Sequence, residues 1–210
     1  MHFINRMVYI CFMFTKSDIT RQAIIEKSAP IFNTKGYSAT TMSDILLATG
    51  LTKGGVYGNF ESKDQIAIEA FEHSIGKLLE ALGFKIKKEN TAKDKLFAIL
   101  SFYKNYSISP LTEGGCPLLN TAIESDDNLP FLKIKAQKAL DELLGGLALI
   151  IQKGIQSKEF KDDLDAQKEA TLIFSVIQGG LMMSKLADNP KILNGLLENL
   201  KGTINTQYLV

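Results

Sequence analysis

Tryptophan is absent from this 210-residue chain, and cysteine and histidine occur only twice each. Cys11 and Cys116 cannot build a disulfide framework, so a reducing compartment, the cytoplasm, is the simplest home. His2 and His73 lie far apart, and no grouping has the spacing of a zinc or iron site, so neither metal nor cofactor is expected. Charge of one sign is also lacking: the net charge is +1. That weighs against a nucleic-acid binder built on a global basic excess, though not against one whose lysines share a single face. The apolar run Met7 to Phe14 falls short of the roughly 20 residues needed to span a bilayer, and no membrane partner is expected. Thr15-Lys16-Ser17-Asp18 supplies no small-residue cleavage site after it. Residues 1–15 therefore read as an N-terminal extension. It is either an overlong gene start with Met13 as the true first residue, or an amphipathic tail packing on the body or a membrane surface. There is no Ser/His/Asp order and no phosphate loop, so an enzyme is not expected.

Strand-like alternation is missing as well, and helical spacing takes its place. Hydrophobic residues make up 45% of the chain, enough for one good core or two small ones. The periodicity predicts an all-α protein of about nine helices. The first covers Asp18 to Lys35, with a kink expected at Pro30, and Gly36 ends it. Short helices are expected over Thr41 to Thr49 and Thr52 to Asn59. Ser62-Lys63-Asp64-Gln65 reads as a capping box that opens a long helix. Thr91 and Asp94 open the next one. Cys116 to Glu124 reads as a short helix, and Asp126-Asp127-Asn128 as the cap of a helix with Pro130 in its first turn. Helices from Leu164 to Ala187 and from Asn189-Pro190 to Ile204 close the chain.

The organising stretch is Thr40 to Asp64. Thr41 and Thr52 each stand at a helix start, where a hydroxyl and free backbone N–H groups can meet a phosphate or simply cap the helix. Gly54 and Gly55 sit inside the second short helix at a cost of about 1 kcal/mol each relative to alanine. A backbone that must approach another surface closely is one reason to accept that cost. Lys53, in the first turn, is placed for a base edge or a phosphate, or else is merely solvated. Two short helices around a tight turn, with hydroxyls and a lysine at the second start, follow the plan of a DNA-reading helix-turn-helix.

At Gly36-Tyr37, Thr40-Thr41-Met42, Asp44-Ile45, Ala48-Thr49-Gly50-Leu51, Thr52-Lys53-Gly54, Val56-Tyr57, Asn59-Phe60 and Ser62-Lys63, the chain resembles TetR/AcrR-type transcriptional regulators. The resemblance covers roughly the first third of the chain. It implies a three-helix helix-turn-helix domain over residues 16–62, then a six-helix ligand-binding and dimerisation bundle over residues 63–210. It implies DNA contacts from Thr41, Thr52, Lys53, Gly54, Gly55, Tyr57, Asn59 and Lys63. Glycine at position 55, where many members carry Thr or Ser, leaves fewer direct base contacts. Lys16 and Arg21 are further candidates for clamping the DNA backbone.

The resemblance further implies a homodimer on a palindromic double-stranded operator, acting as a repressor and released when a small-molecule effector enters the middle helices. The apolar stretches Ile173 to Met182 and Ile192 to Leu200 suit dimerisation through the last two helices, with Gly179-Gly180 allowing close approach. Phe97, Phe102, Tyr103, Tyr106, Cys116, Met182 and Met183 are the pocket candidates, each with plain core as its bland alternative. Cys116, at a probable helix start, is also a candidate sensor thiol of lowered pKa, since GCPLLN resembles the cysteine segment of an electrophile-sensing branch. The rival to the whole reading is a helical ligand-binding or thiol-sensing protein that does not touch DNA directly.

Overall fold

Each helix of the N-terminal third begins at a hydroxyl side chain that captures an orphan N–H. In the computed structural model, which describes residues 15–126 and 128–210, Thr15 caps α1 (Lys16–Lys35) and Thr41 caps α2 (Met42–Thr49). Thr52 caps α3 (Lys53–Tyr57) and Ser62 caps α4 (Lys63–Ile86). The first two are full capping boxes, closed by Asp18 and Asp44. At Ser62 the box is skewed, because Gln65 accepts from the N–H of Glu61 at 2.9 Å. α1 runs unbroken through Pro30, and Thr34 returns its hydroxyl to the Pro30 carbonyl at 2.8 Å. Gly50 ends α2 in the left-handed region at φ 71°.

The body follows as α5 (Ala92–Tyr106), α6 (Pro117–Glu124), α7 (Pro130–Gln156), α8 (Ala166–Leu186) and α9 (Lys191–Thr203). A π-helical turn, Ile204–Tyr208, continues α9. Phe160 then pairs with Leu209 in an isolated antiparallel bridge, tying the end of the chain to the loop after α7. These nine α-helices and no strand are found among the described residues. Two expectations need correction. α7 is preceded by Leu129, which brings no side-chain cap, and neither Asp126 nor Asn128 caps it; Pro130, which has no N–H to satisfy, opens the helix, and Asp127 of the expected cap lies outside the described residues. Cys116 is the residue before α6, which begins at Pro117.

Two cores form. The small one joins Ile24, Ile25, Ile45, Val56, Phe60 and Ile66, so the first turn of α4 belongs to it. The large one fills the body and draws on α4 from Ala67 onward. α4 is thus one rigid element shared by both. A polar seam reinforces the joint. Asn120 of α6 donates to the Asn33 carbonyl of α1 at 3.0 Å, and Asn33 donates to the carbonyls of Glu113 and Gly115. Gly114 holds φ 92° against α1, where a Cβ would lie 2.4 Å from the Asn33 carbonyl oxygen.

Candidate functional site

α3 is five residues long and could not persist alone. Val56 pins it to the small core, fully buried, while Thr52, Lys53, Gly54 and Tyr57 remain exposed. The Thr52 oxygen accepts from Gly55 N at 3.2 Å, which leaves its hydroxyl proton free to point outward. A Cβ at Gly54 would meet nothing within 4 Å, so that backbone lies open to an approaching surface. The Lys53 ammonium stands 5.8 Å above the Tyr57 ring, in solvent. Thr52, Lys53, Gly54, half-buried Gly55 and Tyr57 therefore form one outward patch.

Three sequence candidates have their donors engaged within the protein instead. Thr41 gives both its backbone N–H and its hydroxyl proton to Asp44, at 2.8 and 2.9 Å, so its capping role consumes the donor reserved for a phosphate. Asn59 donates to Gly55 O at 2.8 Å and accepts from Ser17 at 3.0 Å, bracing α3 against α1. Lys63 donates to the carbonyls of Tyr37 and Thr40, both at 2.9 Å, and lies 4.0 Å over the Tyr37 ring. Arg21 likewise pairs with Glu69, donates to Asn59 O and stacks on Phe60. Asn59, Lys63 and Arg21 each lose solvent to a segment that spacing along the chain does not announce, whereas Thr41 stays exposed and closes the capping box that spacing predicts. Lys16 stays exposed.

The reading domain is tied to the body at its α1–α2 loop. Tyr37 donates its hydroxyl to Asp64, and burial with that bond pushes the phenol up to about 12. Lys35 donates to Asp44 at 2.7 Å; that bond, with those from Thr41, holds the Asp44 carboxyl down to about 2.

In the body, α4, α5 and α7 flank a half-open cavity of about 750 Å³. Leu79, Leu82, Ile99, Leu147, Ile150 and Phe174 make its apolar wall. Lys87, Lys95 and Lys153 line it together with Glu89, Glu142 and Glu159. The Glu159 carboxylate accepts from Ala92 N and Lys93 N at 2.7 and 2.8 Å, capping α5. Of the pocket candidates only Tyr103 reaches this cavity. Phe97, Phe102 and Tyr106 line a wider groove on the other side of α5, and Tyr106 with Cys116 lines a third hollow of about 440 Å³. Met182 and Met183 line none of the three and sit exposed on the outer face of α8. The aliphatic and aromatic residues that line this cavity, exposed Leu149 apart, belong to or pack on the core, so no periodicity singles them out.

Cys116 is buried, and that burial pushes its thiol up in spite of the N–H groups of Leu118 and Leu119 at the start of α6. The expected lowered pKa is thereby corrected: desolvation outweighs the helix terminus. The dimerisation stretch is corrected in part too. Ile173, Phe174, Ile177, Leu193 and Leu197 are buried within the chain, and a Cβ at Gly180 would meet Leu193 at 2.6 Å. Leu172, Met182, Met183 and Leu186 remain exposed on α8, with Gly179 open between them.

The comparisons agree with this geometry. Residues 24–70 match the bacterial regulatory proteins of the tetR family, and residues 92–200 match the tetracyclin repressor-like C-terminal domain. A TetR-family transcriptional regulator of Cytophaga hutchinsonii is 38% identical, with a TM-score of 0.86 over 93% of this chain and 98% of that one. The fatty acid metabolism regulator protein of Bacillus subtilis (strain 168) is 28% identical over 88% of this chain and 95% of its own. The regulator FadR of Bacillus subtilis, solved with stearoyl-CoA, is 27% identical with a TM-score of 0.68, covering 84% of this chain and 95% of that one. No described helix is long and apolar enough to cross a membrane. With an outward-facing helix-turn-helix at one end of α4 and a half-open cavity with an apolar wall at the other, this chain belongs to the TetR family and is a ligand-responsive, DNA-binding transcriptional regulator.

Proposed function

We propose that the protein is a cytoplasmic repressor that grips a palindromic operator as a homodimer and lets go when an apolar effector fills the α4–α5–α7 cavity. The observation that carries this reading is the double membership of α4. Its first turn anchors the reading domain through Ile66, and its last turns wall the cavity through Leu79, Leu82 and Ile86. An occupant that displaces those last turns must tilt the base of the reading domain.

Thr52, Lys53, Gly54, Gly55 and Tyr57 supply the DNA contacts, with Lys53 the leading charge and the open backbone at Gly54 allowing close approach to the groove. The second copy docks on the outer faces of α8 and α9, with Leu172, Met182, Met183 and Leu186 exposed on α8. Such a symmetric contact sets two reading heads at a fixed spacing. The proposed role is regulation without catalysis.

The effector is an apolar chain with a polar head, in keeping with the cavity's size and its lysines, and with the stearoyl-CoA held by the FadR relative. The test is a gel shift with the DNA upstream of the protein's own gene, with and without stearoyl-CoA. A specific shift that stearoyl-CoA abolishes is expected. A shift that stearoyl-CoA leaves intact removes acyl-CoA from the proposal, and no specific shift overturns the operator reading.

A further inference from the structure

One part of the effector cavity departs from its apolar wall. Tyr103 lines the cavity, is 1% exposed, and its hydroxyl has no hydrogen-bond partner among the described residues. Phe174 of α8 faces the same space, and one turn further, behind the lining, Gln178 buries both side-chain amide atoms, with the Cys116 sulfur, a weak acceptor, as the amide's one partner. Cys116 meets Gln178 and lies within electrostatic range of Tyr103, so the three groups share one region of the body. The neighbouring Tyr106 differs, because its hydroxyl donates to Gly115 O at 3.1 Å.

Buried polar groups are almost always paired, and one left unpaired is costly. Here the Tyr103 hydroxyl at the cavity wall and the Gln178 amide oxygen behind it are left over, and the amide N–H has only a sulfur for a partner. Lys95, on the same helix, lies eight residues before Tyr103, about 12 Å along the axis, so its cation does not serve this end.

We infer that the buried end of the cavity recognises a neutral oxygen, a hydroxyl or carbonyl, through Tyr103 and Gln178, so that a chain carrying such a group at its inner end binds more tightly than the same chain ending in bare hydrocarbon. A ligand hydroxyl can accept from the Tyr103 O–H and donate to Gln178 Oε1; a ligand carbonyl can accept from Tyr103 and Gln178 Nε2. A plain alkyl end satisfies neither and leaves the Tyr103 hydroxyl and the Gln178 amide oxygen unpaired. This inference rests on the reading that the cavity is the effector site, and it makes Tyr103 and Gln178 its specificity-determining residues.

The test uses two straight chains that differ by one oxygen, dodecanoate and 12-hydroxydodecanoate, titrated calorimetrically into the full-length protein. The hydroxylated chain is expected to bind about tenfold tighter. Tyr103→Phe and Gln178→Met should each bring the ratio toward one. Unliganded Tyr103→Phe should melt no lower than the wild type, since its missing hydroxyl had no partner. Equal affinity of the wild type for both chains overturns the inference. So does a preference that survives both substitutions, a lower melting temperature for unliganded Tyr103→Phe, or failure of both chains to bind. Failure of the effector-site reading looks different: the tenfold preference is present, but neither chain changes the gel shift on operator DNA.

Discussion

Glu124, the last residue of α6, accepts hydrogen bonds from the backbone of Tyr37 and Ser38 at 2.7 and 2.8 Å, so the body holds the loop between α1 and α2 by one carboxylate. The loop passes so close that a Cβ at Gly36 would lie 2.8 Å from Glu124 Oε1. Glu124→Ala leaves two backbone donors without this partner and should lower stability by about 1–2 kcal/mol in urea denaturation. An unchanged midpoint would mean that water replaces the carboxylate at no cost.

Lys53 and Asn59 lie on the same short stretch but are engaged differently, and their substitutions should separate. Lys53→Ala removes one exposed cation per subunit. In a dimer that should cut operator affinity about tenfold and flatten the log–log salt slope by about 2. Asn59→Ala breaks the brace to Gly55 and Ser17, and should lower the melting temperature while leaving the salt slope alone. Filter binding across a salt series reads both; an unaltered slope for Lys53→Ala would remove that lysine from the DNA.

Asp44 makes stability depend on acid. Its folded-state pKa, about 2, lies below the ordinary carboxylate value because of Lys35 first and then Thr41. A depressed pKa means that its contribution is fully present above about pH 4 and fades as pH falls toward 2. The stability gap between wild type and Asp44→Asn should therefore narrow over that window. A gap constant from pH 6 to 2.5 would show that the ion pair does not form.

Cys116 should behave as a buried hydrophobe. In a Cys11→Ser background, iodoacetamide at neutral pH should label the folded protein at least about tenfold more slowly than the urea-unfolded chain. Rapid labelling of the folded form would reinstate a sensing role.

What could be read in advance was whatever depends on three or four neighbouring residues. Thr41 with Asp44 and Thr91 with Asp94 cap their helices as spacing predicts, because a cap is closed by local backbone. Gly50 ends α2 for the same reason. The direction of a long side chain is a different matter. Lys63 folds onto the carbonyls of Tyr37 and Thr40, more than twenty residues back in the chain, and Arg21 meets Glu69 across the α1–α4 contact. Periodicity marks such residues as polar but does not say which neighbour covers them. The cavity was hidden for a related reason. Leu82 and Leu147 share the stripe of the packed core, and only the separation of α4 from α7 makes them a lining.

The length of α4 has a mechanical consequence. Its 24 residues span about 36 Å, and Leu82 stands about 28 Å from Lys63 along the axis. A swing of about 5° at the cavity end would carry the opposite tip through roughly 2–3 Å. In a symmetric pair the two tips would move apart or together at once, doubling the error against a duplex whose successive grooves repeat every 34 Å or so. A guest only one or two methylenes wider than the empty space could thus be geared up into a misfit that neither half-site tolerates.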